Sequence, residues 1–440
     1  MLQNSPQFHA VRIEKIIAGG MGLARTASGQ VIMSGLVLPG EVAQLREVRR
    51  KAGYLEAELA QVLEPSAERV APACPQHGHC GGCDLQHCSY AEQLRIKQAI
   101  VAEAMQRAHV PLPSAGIDVA QPSPQQWGYR HRVRLHISLA GELGFFRKKS
   151  HAVAAVSNCP AAAAEINTAA AELAAAGCLP GLAAFCQELE LHCSPRTRSI
   201  TLVLPLRGRQ RLPAATVQQL AACSSIDQIG CTNDDGFRHL FSRTGTAEPL
   251  TQEFTLPQQN CLLSWSGGCF SQVNPGQNAQ LVRRVLDVGQ VQGKNILDLY
   301  CGMGNFSVPL ALAGSGTLLG VEGSQESVRW ARRNAATVGV SARFLTADVH
   351  SCLRQLVSER QQMDIILLDP PRAGIGKTAA LLPELRAEKI IYISCDPVTL
   401  ARDLAVLCGK GFQVTQLTPL DMFPQTSHIE TIAVLENTAG

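Results

Sequence analysis

Asn295-Ile296-Leu297-Asp298-Leu299-Tyr300-Cys301-Gly302-Met303-Gly304-Asn305-Phe306 runs a short apolar strand into a Gly-x-Gly turn, and this junction decides the fold. Glycines at 302 and 304 let backbone approach a ligand closely at the carboxyl end of a strand. From Asn295 onward apolar runs alternate with helix-like stretches: NILDLY, GTLLGVE, ARFLTAD, DIILLD, KIIYIS and FQVTQLTPL. That alternation predicts a doubly wound α/β sheet. Acids stand at three of the strand ends. Glu322 lies 18 residues beyond Gly304, where an acid in a nucleotide-binding α/β fold reaches ribose hydroxyls. Asp348 closes the third strand and Asp369 the fourth. A lone Gly-x-Gly says little, but the ordered series predicts a site for a nucleoside cofactor. Pro370-Pro371 after Asp369 also reads as a rigid strand exit.

Ser394-Cys395-Asp396-Pro397 follows the strand KIIYIS and puts Cys395 at the same carboxyl edge. By position alone, a nucleophile and a buried strand-end cysteine are equal readings. A nucleophile would need surroundings that favour thiolate, because cysteine ordinarily titrates near ~8.5. The tail Leu420-Asp421-Met422-Phe423-Pro424-Gln425-Thr426-Ser427-His428-Ile429-Glu430 opens the last strand pair and supplies both a carboxylate and a histidine. Farther upstream, Cys74-x5-Cys80-Gly81-Gly82-Cys83 fits neither a zinc-finger pair nor the two-residue ferredoxin spacing. It offers three soft ligands in a tight loop and needs a fourth from elsewhere. A zinc site that borrows His77, His79, His87 or Cys88 is the alternative.

Toward the amino terminus, residues 8–64 read as short strands separated by glycine turns, a small all-β barrel. Pro65, Pro72 and Pro75 mark a boundary; helical spacing resumes over 90–109, and a Pro-rich segment spans 111–124. A β-rich stretch starts at Tyr129, where Arg130, Arg132, Arg134 and His136 alternate and are expected to share one strand face. With Arg147-Lys148-Lys149 they form a candidate RNA-gripping stripe, a solvated sheet face being the rival reading. Residues 161–265 open with an Ala-rich soluble helix and otherwise offer scaffold, not chemistry. Residues 1–150 hold 17 Lys and Arg against 12 Asp and Glu, so the net charge of +3 hides a basic front and a mildly acidic remainder. A basic front fits a nucleic-acid partner. No run approaches the roughly 18 apolar residues of a membrane span, and the start MLQNSPQFHA lacks a signal-peptide pattern. Sixteen cysteines without an export signal argue against a disulfide framework and for the cytoplasm.

The missing third glycine and the opening Asp298-Leu299-Tyr300-Cys301-Gly302 resemble class I methyltransferases more than NAD-binding domains. Arg372 stands where the amino-methyltransferases carry an aromatic after Asp/Asn-Pro-Pro, which counts against that chemistry. The paired segments 394–397 and 421–430 resemble the signatures of the RNA uracil-C5 methyltransferases, Ser-Cys-Asp/Asn-Pro and Asp-x-Phe-Pro-x-Thr/Ser-x-His-x-Glu. The resemblance implies that Cys395 is the nucleophile and Glu430 the general base. It also implies that Gln272 (in Phe270-Ser271-Gln272-Val273-Asn274), Tyr300, Asn305, Glu322, Asp348 and Asp369 line an S-adenosylmethionine pocket. Asn158-Cys159-Pro160 matches the family's distant fourth ligand, which implies a 4Fe-4S cluster on Cys74, Cys80, Cys83 and Cys159. Residues 8–64, with Leu38-Pro39-Gly40-Glu41, resemble the RNA-binding TRAM barrel, Met33-Ser34 replacing its usual Phe-Val. The expected architecture is therefore a multi-domain α/β chain: an OB-like TRAM barrel (1–64), a central α+β region with the iron–sulfur loop (65–265) and a doubly wound, Rossmann-like catalytic domain (266–440). Barrel and cluster together imply the branch that forms 5-methyluridine at position 1939 of 23S rRNA, with RNA as the partner and no obligate protein partner or membrane. The same chemistry on another rRNA or tRNA uridine, or a non-catalytic RNA-binding iron–sulfur protein, are the competing readings.

Overall fold

The computed structural model describes residues 7–257 and 259–438. Positions 1–6 and 439–440, where the expected barrel and catalytic units begin and end, lie outside the described residues, as does position 258. Strands β1 (Phe8–Ile17), β2 (Met21–Arg25), β3 (Val31–Ser34), β4 (Val42–Arg50) and β5 (Leu55–Glu64) close a barrel in the order β1-β2-β3-β5-β4. Period-two alternation sends Val11, Ile13, Ile32, Leu45 and Leu55 into its core, and closure leaves no bare edge.

The barrel is docked, not tethered. Ile16 and Leu38 pack against Leu85, Cys88, Ile96 and Ile100. Buried Glu41 receives both arms of Arg69, at 2.6 and 2.8 Å, and the N–H groups of Leu38 and Ser66 at 2.8 and 3.2 Å. Burial opposes the Glu41 charge, but these bonds outweigh it and hold the carboxyl below its usual range. Helix α1 (Tyr90–Arg107) starts at Ser89, whose hydroxyl accepts from the Glu92 N–H. Its Val101, Ala104 and Met105 join the core beneath the catalytic sheet, together with Leu297, Leu299 and Ile366.

The central layer is a seven-stranded sheet made of β6 (Arg132–Ile137), β7 (Leu143–Phe146), β8 (Val153–Ala155), β9 (Glu188–Cys193), β10 (Ile200–Pro205), β11 (Gln228–Asn233) and β12 (Gly236–Ser242). Helices α2 (Ala164–Ala175), α3 (Leu179–Leu182) and α4 (Ala214–Ala221) carry apolar side chains into its core, so the alanine-rich run is the helix that its composition predicts. A hairpin of β13 (Leu250–Thr255) and β14 (Asn260–Trp265) leads to α5 (Pro275–Gly289).

The carboxyl-terminal sheet holds β15 (Ile296–Leu299), β16 (Leu318–Glu322), β17 (Arg343–Thr346), β18 (Ile365–Leu368), β19 (Lys389–Ser394), β20 (Phe412–Leu420) and β21 (Glu430–Asn437). Its order is β17-β16-β15-β18-β19-β21-β20, parallel except where β21 inserts antiparallel to both neighbours. Between the strands lie α6 (Ser307–Leu312), α7 (Gln325–Thr337), α8 (Val349–Ser358), a 3-10 helix (Gly376–Leu385) and α9 (Pro397–Cys408). Strand order reverses between β15 and β18, the switch point at which such sheets bind ligands beyond their carboxyl ends. The Pro-rich connector runs along the outer strand: Asp118 N–H bonds to Leu417 O at 2.9 Å and Gln121 N–H to Pro419 O at 2.8 Å. A proline-rich, twisted segment thus covers the β20 edge.

Candidate functional site

Of the residues expected to hold the cofactor, Tyr300, Glu322 and Asp369 stand where β15, β16 and β18 end, whereas Asp348 follows β17 and Gln272 lies apart from them. Tyr300 holds a left-handed backbone (φ 63°), unusual for a side chain of its size and costly without support. Gly304 lies at φ 89°, and a Cβ there would stand 2.9 Å from Val308 and 3.6 Å from Ala331, so only glycine fits. Glu322 accepts from Gly302 N–H at 3.2 Å and Ser324 N–H at 2.7 Å, which ties the turn to the second strand. Asn305 and Asn278 exchange side-chain amide bonds at 2.9 and 3.0 Å. Asp348 is exposed and caps α8, accepting from the N–H and hydroxyl of Ser351 at 2.9 and 2.8 Å. Gln272 lies on the connector from β14 to α5 and lines a small cavity with His192, Leu250 and Trp265. One acid escaped sequence reasoning. Asp298, fully buried within the first strand, is bonded by the Ser307 hydroxyl, and burial lifts its carboxyl to about 7. Its apolar strand context hid it, although an acid inside such a run is itself the signal.

The second group stands where β18 and β19 end and the antiparallel β21 begins. Ser394 pairs with Thr431 and Leu420 with Glu430, so the next antiparallel step sets Cys395 beside Glu430. Burial lifts the Cys395 thiol to about 11, the nearby Glu430 charge adds to the rise, and the Arg372 guanidinium opposes it. Glu430 is buried and pushed well above the usual carboxylate range, first by desolvation and then by Asp369, again with Arg372 opposing. Burial carries Asp369 itself to about 7. A thiol and two carboxyls thus meet in one dry edge around an exposed arginine, a residue type that the sequence reading weighed only as a departure from another motif.

Local order explains the placement. Asp396 caps α9 through bonds from the N–H groups of Val398 and Thr399, at 3.0 and 2.9 Å, and Pro397 occupies its first turn. Thr399 Oγ1 donates to Arg372 O at 2.9 Å. Buried Asp403 accepts from Ile375 N–H, Gly376 N–H and the Tyr392 hydroxyl at 2.8, 3.2 and 2.7 Å, which fixes the loop after Asp369. His428 stands edge-on to Phe423, with ring centroids 6.0 Å apart. Burial, then Arg372, pulls its imidazole below the ordinary value.

Cys74, Cys80, Cys83 and Cys159 line a single cavity with Gln86 and Arg130. The Gly81 N–H bonds to Phe146 O at 2.9 Å, and a Cβ on Gly81 would lie 2.9 Å from that oxygen, so the Cys80–Cys83 loop needs glycine to seat against β7. Asn167 of α2 clasps the backbone of Cys159, at 2.8 and 3.1 Å. Burial raises the Cys80, Cys83 and Cys159 thiols, Cys83 to about 11; the other cysteines add to each rise and Arg130 lowers it. Among the described residues no three His, Cys, Asp or Glu side chains close on a point where one ion would sit. Cys88 is buried against the barrel, and His87 bonds to Val37 O at 3.3 Å and to His77 at 3.2 Å.

The basic stripe is corrected in two respects. Arg132, Arg134 and His136 do alternate with buried Val133, Leu135 and Ile137. Arg130 precedes the strand and instead lines the cysteine cavity, 5.9 Å from the ring centres of Tyr129 and Phe423. The stripe is also paired. Neighbouring β9 brings Glu190 to 2.7 Å from Arg134 and Glu188 to 3.5 Å, and Lys148 meets Asp84 at 3.1 Å. Lys149 is paired with Glu56 of the barrel.

Sheet order and glycine turn define a class I methyltransferase by fold. A model of the family described as tRNA (Uracil-5-)-methyltransferase matches residues 246–438. The 23S rRNA (uracil(1939)-C(5))-methyltransferase RlmD of Azoarcus sp. (strain BH72) is 34% identical over 438 residues, covering 96% of this chain and 98% of the relative. The RlmD of Vibrio cholerae serotype O1 (strain ATCC 39541 / Classical Ogawa 395 / O395) is 33% identical over 436 residues, covering 96% and 94%. A crystal structure of Pyrococcus abyssi tRNA (uracil-54, C5)-methyltransferase in complex with S-adenosyl-L-homocysteine shares the fold, with a TM-score of 0.71, 23% identity and coverage of 98% of this chain and 100% of that one. The chain belongs to the RNA (uracil-C5)-methyltransferases, in the RlmD family. Among the described residues no helix is long and apolar enough to cross a membrane.

Proposed function

We propose that this enzyme forms 5-methyluridine at position 1939 of 23S rRNA through a covalent adduct between Cys395 and uracil C6. The observation that carries the reading is the thiol–carboxyl edge: Cys395 and Glu430 meet where β19 ends and β21 begins, beside Asp369. The thiolate of Cys395 adds to C6, and the displaced π electrons make C5 a nucleophilic enolate carbon. Bound S-adenosylmethionine supplies the electrophilic methyl group; Gln272, Tyr300, Asn305, Glu322, Asp348 and Asp369 are the residues assigned to hold it. Glu430 then takes the C5 proton, those electrons restore the C5–C6 double bond, and the C6–S bond breaks to return Cys395. A raised carboxyl suits that step, since its carboxylate is a stronger base than an ordinary one. The uracil must leave its stack to reach both groups. Mapping 5-methyluridine in rRNA from a strain without this protein tests the reading. Loss at position 1939, restored by the wild-type chain, is expected; loss at a different rRNA or tRNA uridine would redirect it.

We assign a 4Fe-4S cluster to Cys74, Cys80, Cys83 and Cys159. Four thiols around one cavity, with the half-buried Arg130 beside them, are the donor set such a group takes. A cluster there supplies iron centres that draw the thiols to thiolates and cross-link the 74–83 loop to Cys159. Anaerobically purified protein should be brown and hold about four irons per chain, and Cys88→Ser should keep that content. Stoichiometric zinc without acid-labile sulfide would remove the assignment.

For RNA, the barrel offers exposed Arg49 and Arg50 on β4. Replacing both by alanine should weaken RNA binding and flatten the slope of log affinity against log salt by about one per lost phosphate contact. S-adenosylmethionine affinity, measured calorimetrically, should stay unchanged.

A further inference from the structure

The catalytic loop 421–428 is built from polar residues that are nonetheless buried: Asp421, Gln425, Thr426 and Ser427 are all shielded from solvent. Such a loop stays folded only if most of its polar groups find partners. The partners come from outside the catalytic sheet. Gln93 and Lys97 lie one turn apart on α1, on one face, and both are fully buried. Gln93 Oε1 accepts from the Gln425 N–H at 2.9 Å, and its Nε2 donates to Gln425 Oε1 at 2.9 Å and to Cys88 O at 3.0 Å. Gln425 sits in the left-handed region at φ 71°, a conformation that needs such external support. One turn further along α1, Lys97 Nζ donates to the Asp421 carboxylate and to Phe423 O, the latter at 3.1 Å. The Tyr129 hydroxyl holds Pro424 O at 2.9 Å.

We propose that Gln93, seconded by Lys97, is a positioning residue for the proton-abstraction step, fixing the loop that delivers Glu430. The inference rests on Glu430 being the base. A stabilising role alone accounts poorly for Lys97 and Asp421, because apolar residues of like volume often replace a buried ion pair at no loss. What polar pairs add is one register. Glu430 begins β21 directly after this loop, whereas Cys395 is held separately by the Ser394 and Asp396 turn and the cap of α9. Beyond the β19–β21 ladder that the two chemical groups share, the hydrogen bonds from Gln93 and Lys97 reach only the Glu430 side, so loosening them should disturb Glu430 more than Cys395.

Single-turnover reactions of the full chain with target RNA and S-adenosylmethionine separate the steps. Adduct formation and decay are followed on denaturing gels. Gln93→Leu keeps volume but strands the Gln425 N–H. It should prolong the methylated adduct by about ten- to a hundredfold, the scale of an ångström-sized misplacement. Formation should change by less than about threefold, and S-adenosylmethionine affinity should hold. Gln93→Glu, which retains the acceptor, should recover most of the decay rate. Equal slowing of formation and decay, or wild-type decay, overturns the inference. Should Gln93→Leu fail to fold, Lys97→Met is read in its place, and wild-type decay there overturns it equally. Glu430→Gln runs alongside: retention of the adduct there with normal decay in the α1 variants refutes only the positioning role, whereas normal decay in Glu430→Gln refutes the base assignment.

Discussion

Cys395→Ala should lose methylation of target RNA by roughly 10³-fold or more, the scale seen when a covalent nucleophile is removed. No covalent RNA–protein species should form with it, even on RNA carrying 5-fluorouridine, a base that traps the wild-type enzyme because fluorine cannot leave as a proton does. The physical ground is that uracil C5 is too weak a nucleophile for a methyl sulfonium until addition at C6 turns it into an enolate carbon. The wild-type pH profile should carry the same signature. With the free thiol near 11, the thiolate fraction falls about tenfold for each pH unit below that value. Adduct formation measured on 5-fluorouridine RNA should therefore rise with pH through neutrality. A flat profile would show that RNA binding, not the thiol, limits addition. Residual methylation by Cys395→Ala within tenfold of wild type would end the covalent mechanism.

Glu430→Gln should behave in the opposite sense. Addition and methyl transfer need no base at C5, so both proceed, but the C5 proton has no acceptor and the C6–S bond cannot break. Release should slow by about 10²- to 10⁴-fold, the usual contribution of a general base, and a methylated adduct should survive denaturing electrophoresis. His428 is the rival. The structure sets it edge-on to Phe423, two residues before the ladder, whereas Glu430 pairs within it opposite Leu420. Burial and Arg372 depress the imidazole and so weaken it as a base, while desolvation strengthens Glu430. Adduct retention by His428→Ala, with normal turnover by Glu430→Gln, would transfer the base to His428 and leave the rest of the mechanism standing.

The carboxyl-terminal sheet was legible because each of its strands is a short apolar run bounded by turn residues, from Ile296–Leu299 to Phe412–Leu420. Position after a strand likewise put Cys395 at the carboxyl edge, but Glu430 was joined to it by the resemblance of segments 394–397 and 421–430 to the family's paired signatures, since it opens an antiparallel strand. What stayed hidden depends on partners distant in sequence. The alternation at Arg132, Arg134 and His136 announces a strand, but nothing local tells that β9 will pair with β6 and set Glu188 and Glu190 against them. Arg130 fits the same alternation and yet falls one turn short of the strand, where the cysteine cavity takes it. Helix α1 reads as an amphipathic connector; that its polar residues Gln93 and Lys97 reach a loop more than 300 positions later is a property of the packed chain.

The segment laid along β20 has a consequence for modularity. Asp118 and Gln121 lie nearly 300 residues ahead of the strand they cover, and Val101 and Met105 fill the core behind the same sheet. An excised carboxyl-terminal half would carry a bare strand edge and an unfilled apolar seam, the two features that drive edge-to-edge association. The enzyme is thus a clasp rather than a string of beads. Helix α1 and the 118–121 segment find their seats only against the last strands, and transplanting the catalytic half onto another RNA-binding module would require the clasp to travel with it.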